Sequence, residues 1–583
     1  MPAYQFPTET KKRLRQRLTF LYGKQREPEI FNRIQDIAGA YASGVKESKG
    51  TKLSEKDIVL IAYPDQLRMA GQTPLWTLGH FLSHYLEDLI TTVHILPFYP
   101  YSSDDGFSVI DYRQVHPEFG GWDDIEWLGN RFKLMFDAVI NHISSKSEWL
   151  KHFLEGDPDF RDFFIQVNPG VDLSSVVRPR DLPLITSFKT DRGEVHLWTT
   201  FSADQVDLNF ANPRVLLEIL DLLLFYIQKG ANIIRLDAIA FLWKEVGTSC
   251  IHLPQTHQII KLMRDILDEV APHVLLLTET NVPHQENLSY FGDGQDEAHM
   301  VYQFALPPLI LHTLTSGNAN RLTDWAANLE RPSPQVTFFN FTASHDGIGL
   351  RPARGILSDN EIERLVSLTE QRGGAISYRR LGDHGRQAYE LNINYFSALS
   401  DTSELDHHPD TSIARFLCSQ AMMLTFPGLP AVYFHSLFGS RNDLEGVERT
   451  GQPRSINRQK FLLKPFEVEL AQNQSVRYQV WNGFKKFLQV RRSQPEFDPW
   501  GKHDIIKFLP GIFCILRTSP RDGRRMLCLH EVSGKTQEFV APLKENPKGS
   551  ALDLINMEKM DLTQIHMRPY QVRWIQLDSG NQV

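Results

Sequence analysis

Short apolar runs recur along the chain, separated by stretches with helical periodicity. Asp57-Ile-Val-Leu-Ile-Ala-Tyr63 reads as a buried strand, Leu75 to Leu89 as a helix and Thr92-Val-His-Ile-Leu-Pro97 as a second strand. A helix over Asp123 to Asn130 leads into a third strand, Lys133-Leu-Met-Phe-Asp-Ala-Val-Ile140. Further strands are predicted at 232–236, 274–278, 299–303, 336–341 and 431–434, with helices between most of them. Eight short apolar strands alternating with helices call for a parallel sheet buried on both faces. Eight such units predict an α/β fold of the (β/α)8 barrel type rather than an open doubly wound sheet.

The span is well beyond the ~250 residues typical of such a barrel, so insertions are required. The barrel is assigned to 56–142 and 206–495. One insertion follows the third strand, at 143–205, and a second, at about 347–395, follows the seventh. Residues 1–55 read as a polar helical extension with apolar positions at Leu14, Leu18, Leu21, Phe31, Ile34 and Ile37. Residues 496–583 read as a small all-β domain with strands at 505–509, 512–516, 526–530 and 572–577.

A net charge of −8 argues against nucleic acid or an anionic membrane as partner. The four cysteines (Cys250, Cys418, Cys514, Cys528) show no metal-ligand spacing, which fits a reducing compartment. There is no signal-like N-terminus and no apolar run of about 18 residues, so the expectation is a cytoplasmic protein.

Two charges interrupt the fourth strand. Arg235 and Asp237 are two residues apart and so point the same way. Burying both costs several kcal/mol per ion unless they pair, and a structural ion pair would explain them as well as a functional one. The other strand ends tip the balance. At the same end of successive strands stand Asp137-x-x-x-Asn141-His142, Thr278-Glu279-Thr280 and Ser344-His345-Asp346-Gly347. That end is the active face of a (β/α)8 barrel.

Those four motif regions resemble the α-amylase superfamily over nearly the whole chain from Asp57 onward. The resemblance implies a retaining mechanism with Asp237 as nucleophile, Glu279 as general acid/base and Asp346 gripping glucose hydroxyls. Such a mechanism needs two carboxyls about 5 Å apart. Arg235 is expected to keep Asp237 ionised, and Glu279, on an apolar strand near other carboxylates, to have a raised pKa. His142 and His345 are expected to donate to sugar hydroxyls.

Ile95-Leu-Pro-Phe-Tyr-Pro100, Asp104-x-Gly106-Phe107, Arg178-Pro-Arg180, Leu197-Trp-Thr-Thr-Phe201 with Gln205-Val-Asp207, and Phe304-Ala-Leu-Pro-Pro308 are similar to the sucrose phosphorylase branch. The likeness implies that Asp104, His142, Arg235, His345 and Arg458 bind the glucosyl unit, that Phe107 and Phe201 offer it an apolar platform, and that Gln205 faces the acceptor side. Arg180, with Arg178 and Tyr389, is then the phosphate candidate. Glu390, an acceptor-side residue by the same likeness, stands where sucrose enzymes commonly carry a glutamine that contributes to fructose binding, Val177 where they usually carry a tyrosine, and the helical extension is additional. Leu276-Leu-Thr-Glu-Thr-Asn-Val-Pro283 and Phe339-Asn-Phe-Thr-Ala-Ser-His-Asp346 look closest to the glucosylglycerate phosphorylases.

The expected activity is transfer of glucose from an α-glucoside to inorganic phosphate, giving α-D-glucose 1-phosphate. Glucosylglycerate is the first choice of donor; sucrose, sucrose 6-phosphate and glucosylglycerol stay open. A hydrolase or transglucosylase, or a barrel serving as a non-catalytic scaffold, are the rival readings. No cofactor and no metal are expected, since nothing resembles a calcium loop; related phosphorylases often dimerise, which makes a homodimer the one protein partner in view.

Overall fold

The computed structural model describes residues 4–577 apart from 43, 45–52, 192, 381–384, 402–404, 406–407 and 544–549. Its centre is a closed barrel of eight parallel strands: β1 (Val59–Ala62), β2 (Thr92–Ile95), β3 (Lys133–Ala138), β4 (Ala231–Leu236), β5 (Leu275–Thr278), β6 (Met300–Tyr302), β7 (Thr337–Asn340) and β8 (Leu429–Tyr433). Each strand pairs with its sequence neighbours, and β8 closes back on β1. The strands are almost wholly buried, as continuous apolar runs flanked by helices on the outside require.

All eight predicted strands are present, but most are shorter at the C-terminal end. The third, read to Ile140, leaves the ladder after Ala138, although Val139 and Ile140 stay buried. The apolar run outlasts the ladder because the rim loops cover it, and periodicity cannot distinguish the two. The helix read over Leu75 to Leu89 spans Pro74–Tyr85, and its first turn is capped by the Thr73 hydroxyl, which accepts from the Trp76 N–H.

Two helices precede the barrel, α1 (Thr8–Tyr22) and α2 (Glu27–Ala42). Leu14, Leu18, Leu21, Phe31 and Ile34 are buried, as their spacing predicts, and α1 packs on the helix Pro254–Val270 while α2 packs on Pro213–Gln228. Arg13 and Arg17 of α1 both donate to Asp265, at 2.6 and 2.7 Å. Part of the expected extension (1–3, 43 and 45–52) lies outside the described residues.

After β3 the chain forms the hairpin Ile185–Thr190/Gly193–Trp198 over a small core of Val167, Val176, Leu184 and Trp198, joined by Cys250. After β7 it forms a second hairpin, Ala375–Arg380 with Arg386–Asn392, which also pairs with Ile348–Gly349. The C-terminal region holds a six-stranded antiparallel sheet with its own apolar core. Its first strand is Lys502–Ile505, not the 505–509 that the apolar residues suggested. It is a half-exposed edge strand with a polar face, whereas Ile506 and Phe508 pack on the core from a loop.

Arg491 ties these parts together. Fully buried, it donates to the carbonyls of Glu55 (2.7 Å), Leu424 (3.2 Å) and Phe497 (3.2 Å). Replacing it by methionine keeps the stem but strands those acceptors, a loss of roughly 3 kcal/mol at 1–3 kcal/mol per buried unpaired group. Arg491→Met should therefore unfold at clearly lower denaturant concentration than wild type; an unchanged midpoint would mean that water replaces the guanidinium without penalty.

Candidate active site

The register of the barrel builds the site. Asp137 on β3 lies opposite Arg235 on β4, and Arg235 lies opposite Leu277 on β5. The Asp237 N–H donates to the Ala138 carbonyl (3.2 Å) and the Glu279 N–H to the Leu236 carbonyl (3.1 Å), so both carboxylates emerge one residue past the ladder on adjacent strands. Ala238 then takes a left-handed conformation (φ 48°), and its N–H donates to Glu279 Oε2 at 3.0 Å. A non-glycine residue held there stores strain, here at the junction of two acidic side chains.

Arg235 is 1 % exposed and reaches three carboxylates. Its Nη1 donates to Asp137 (2.5 Å) and Asp237 (2.7 Å), and its Nη2 stands 4.0 Å from Glu279. Burial pushes Asp137 up, but His94, at 2.8 Å, and Arg235 outweigh it and hold it at about 2. Asp237 behaves differently from the sequence expectation. Burial and the charge of Asp137 carry it above the ordinary aspartate range, and Arg235, shared among three acids, only limits the rise. Glu279 is raised further, to about 7, by burial first and then by Asp237 and Asp346, against the pull of Arg235. The two carboxyls are thus held apart in acidity, the arrangement that assigns one as acid and the other as base.

Across the cleft Arg454 joins Asp346 to Glu390, with contacts of 2.7 Å to each. Burial opposes ionisation of Asp346, but Arg454 overcomes it and holds the carboxyl well below the usual range. Glu390, expected to meet the acceptor, has its carboxylate engaged by two bonds from Arg454 and one from the Gly347 N–H (2.7 Å). Its charge is thus neutralised within the cleft wall. In the turn after β2 Asp104 receives Arg180 (3.0 Å) and Arg458 (3.5 Å), and Asp105 receives Arg458 (2.9 Å). Asp104, Asp105 and Gly106 all have positive φ, and a Cβ on Gly106 would stand 2.7 Å from the Pro97 carbonyl, so only glycine fits this turn.

The two histidines also differ from expectation. His142 gives its Nε2 proton to the Phe107 carbonyl (2.8 Å), which also accepts from Gln205 (2.9 Å). His345 lies flat on Phe107, ring centroids 4.5 Å apart, and burial pushes it down to about 3, so it is a neutral ring. One face of the Phe107 platform is therefore already covered. Phe201 is flanked by His142 and Phe241 and carries Arg180 above its ring at 5.7 Å. Tyr389 is pushed up to about 12 by burial and keeps its proton; its hydroxyl is 3.5 Å from Asn281.

All these predicted residues, and Arg178, line one cleft of about 520 Å³ at the C-terminal rim, except Arg235, which stands behind Asp237. Sequence reasoning missed Arg454 and His94. Both carried a signal. His94 is a polar residue inside an apolar strand, as Arg235 is, and Arg454 stands four residues before Arg458. Among the described residues no group of three or more His, Cys, Asp or Glu side chains could hold a metal, and no helix is long and apolar enough to cross a membrane.

Residues 83–348 match the sequence profile of the alpha-amylase catalytic domain, which puts the barrel and its acidic rim in the α-amylase superfamily. Over 536 residues, 91% of this chain and 90% of the relative, the sequence is 50% identical to a glucosylglycerate phosphorylase of Spirochaeta thermophila. It is 48% identical to one of Escherichia coli, over 89% of this chain and 92% of that one. The chain belongs to the glucosylglycerate phosphorylase family. Its fold resembles the crystal structure of a sucrose 6F-phosphate phosphorylase from Thermoanaerobacter thermosaccharolyticum (TM-score 0.72, 24% identity), covering 89% of this chain and all of that one.

The raised Glu279 has a consequence for stability. Below its ordinary value of about 4.3 both folded and unfolded chains hold the proton. Between there and about 7 only the folded chain does, so the folded state loses ground as pH rises through that window, by on the order of 4 kcal/mol in all, and no further above it. Glu279→Gln removes this term. Relative to wild type it should gain stability from pH 4.5 to 8, measured by denaturant unfolding; parallel curves for the two proteins would contradict the raised pKa.

Proposed function

We propose that the protein transfers the glucosyl unit of 2-O-α-glucosylglycerate to inorganic phosphate, releasing glycerate and α-D-glucose 1-phosphate. The observation that carries this reading is the pair at the ends of β4 and β5: Asp237 bonded to Arg235 at 2.7 Å, and Glu279 on the adjacent strand, 4.0 Å from the same guanidinium and protonated up to near neutrality. In the first step an Asp237 carboxylate oxygen attacks the anomeric carbon while Glu279 gives its proton to the departing glycerate oxygen. In the second, a phosphate oxygen attacks the same carbon, the bond to Asp237 breaks, and Glu279 takes up the proton that phosphate loses. Two inversions at one carbon retain the α configuration.

Asp346, held ionised by Arg454, and Asp104, held by Arg180 and Arg458, are assigned to the glucose hydroxyls. His345 fits hydroxyl binding as a neutral ring, and its Nδ1 is buried with no hydrogen-bond partner among the described residues. A hydroxyl that binds His142 does so in competition with the Phe107 carbonyl. Arg178 and Arg180 are assigned to phosphate, with Arg180 already placed above Phe201. Glucosylglycerate as donor is supported by the relatives that match across nearly the full chain. The four cysteines are free and buried, which supports a reducing, cytoplasmic setting.

Incubation with glucosylglycerate should release glucose 1-phosphate only when phosphate is present. Equal consumption without phosphate, with glucose as product, would make the protein a hydrolase. Asp237→Asn should lower turnover by about 10⁴-fold, as loss of a covalent nucleophile does. The kcat/KM for glucosylglycerate should fall on the alkaline side with a midpoint near 7, where Glu279 loses its proton. A flat profile through pH 8 would remove Glu279 from the acid role.

A further inference from the structure

The second insertion holds a cationic pair that the assignments above do not use. Arg379 projects from the strand Ala375–Arg380, and its cross-strand neighbour is Gln387. Both its Nε (3.1 Å) and its Nη2 (2.8 Å) donate to the Gln387 amide oxygen, a neutral acceptor. Among the described residues no carboxylate lies within ion-pair distance of it. Arg351, just after β7, donates to Glu286 at 3.2 Å, but Glu286 also receives His252 at 3.0 Å. Arg354 spends one nitrogen on the Ala388 carbonyl and pairs with the exposed Asp359 at 3.5 Å, so Arg379 is the member of the group without a carboxylate of its own among the described residues.

Burial disfavours the charge on Arg379, and so do Arg351 and Arg354 beside it. Guanidinium groups crowded together with too few carboxylates are costly unless an anion sits among them. Arg351 and Arg379 line the same cleft as Asp237 and Glu279. We propose that these two arginines hold the carboxylate of the glycerate moiety, making them specificity-determining residues for the acceptor side. The proposal rests on the functional reading above. A carboxylate offers two coplanar oxygens that match a guanidinium fork.

Phosphate is the other oxyanion that visits the acceptor space, and position separates the two. The attacking phosphate oxygen bonds the anomeric carbon itself. Arg180, in contact with Asp104 and above Phe201, lies on that sugar side. The glycerate carboxylate is set back from the glycosidic oxygen by one carbon, toward the rim where the hairpin stands. Arg379 and Arg351 have no hydrogen bond to any of the sugar-side carboxylates among the described residues.

The test compares two Michaelis constants in one enzyme. Arg379→Gln and, separately, Arg351→Gln should raise the KM for glucosylglycerate by about tenfold or more, the loss of one charge-assisted contact, while the KM for phosphate rises by less than roughly threefold. Arg379→Lys should recover part of the loss. A rise confined to phosphate, or an equal rise in both constants, overturns the assignment; so does an unchanged KM for glucosylglycerate in both variants. Wild-type enzyme that fails to consume glucosylglycerate with phosphate sinks the functional reading itself. A wild type that succeeds, with variants that behave as it does, sinks only this inference.

Discussion

A single buried guanidinium sets the terms for the acidic rim. Arg235 lies inside a low-dielectric barrel, where an unpaired cation would cost several kcal/mol, so the strands on either side must present carboxylates to it. Asp137 takes the strongest share, with His94 behind it, and Asp237 takes the next. Glu279 is left at arm's length, 4.0 Å away. That graded sharing makes the three acids unequal. Equal neighbours would share the cation evenly; here the ladder leaves Glu279 the least compensated of the three. The parallel register fixes the grading, because it sets Asp137 level with Arg235 and both reactive acids one residue past their strands.

Support for the other half of the cleft is built differently. Asp346, Asp104 and Asp105 sit on loops, and each is pinned by an arginine: Arg454 on Asp346, Arg180 on Asp104, Arg458 on both members of the Asp104–Asp105 turn. The segment Arg454–Arg458 supplies two of these from one stretch of backbone, and its Asn457 holds the carbonyl of Ser344 at 2.6 Å. That wall is therefore a lattice of charge pairs over a rigid barrel, whereas the opposite wall takes Ser377, Tyr378, Arg379, Tyr389 and Glu390 from the second hairpin.

The barrel was legible because each strand is a continuous apolar run, and burial on both faces leaves that trace in composition. The reactive acids were legible for the opposite reason: Arg235 and Asp237 break such a run, and Glu279 ends one. Strand ends were overrun, as at Ile140, since a buried loop and a buried strand have the same polarity. The strand Lys502–Ile505 was misplaced because its exposed edge face hides the pattern. What sequence could not supply was who shares with whom. From the sequence Arg235 reads as the partner of Asp237 and a glucosyl ligand, Glu390 as an acceptor-side residue and His142 as a donor to sugar hydroxyls. Each is engaged by a residue distant in the chain: Asp137, Arg454 and the Phe107 carbonyl. Such long-range partners leave no local periodicity.

The hairpin of the second insertion joins the rest of the cleft through few points, chiefly the clamp of Arg454 on Glu390 and the pairing with Ile348–Gly349. Its outer strand lines the cleft with Ser377, Tyr378 and Arg379 and gives only Ile376 to the edge of the core. Changes in length or sequence there cost little folding energy, while a change at Arg235 or Asp137 disturbs the packed centre. The division leaves one wall of the cleft free to vary while the packed centre, with the acids it carries, stays fixed.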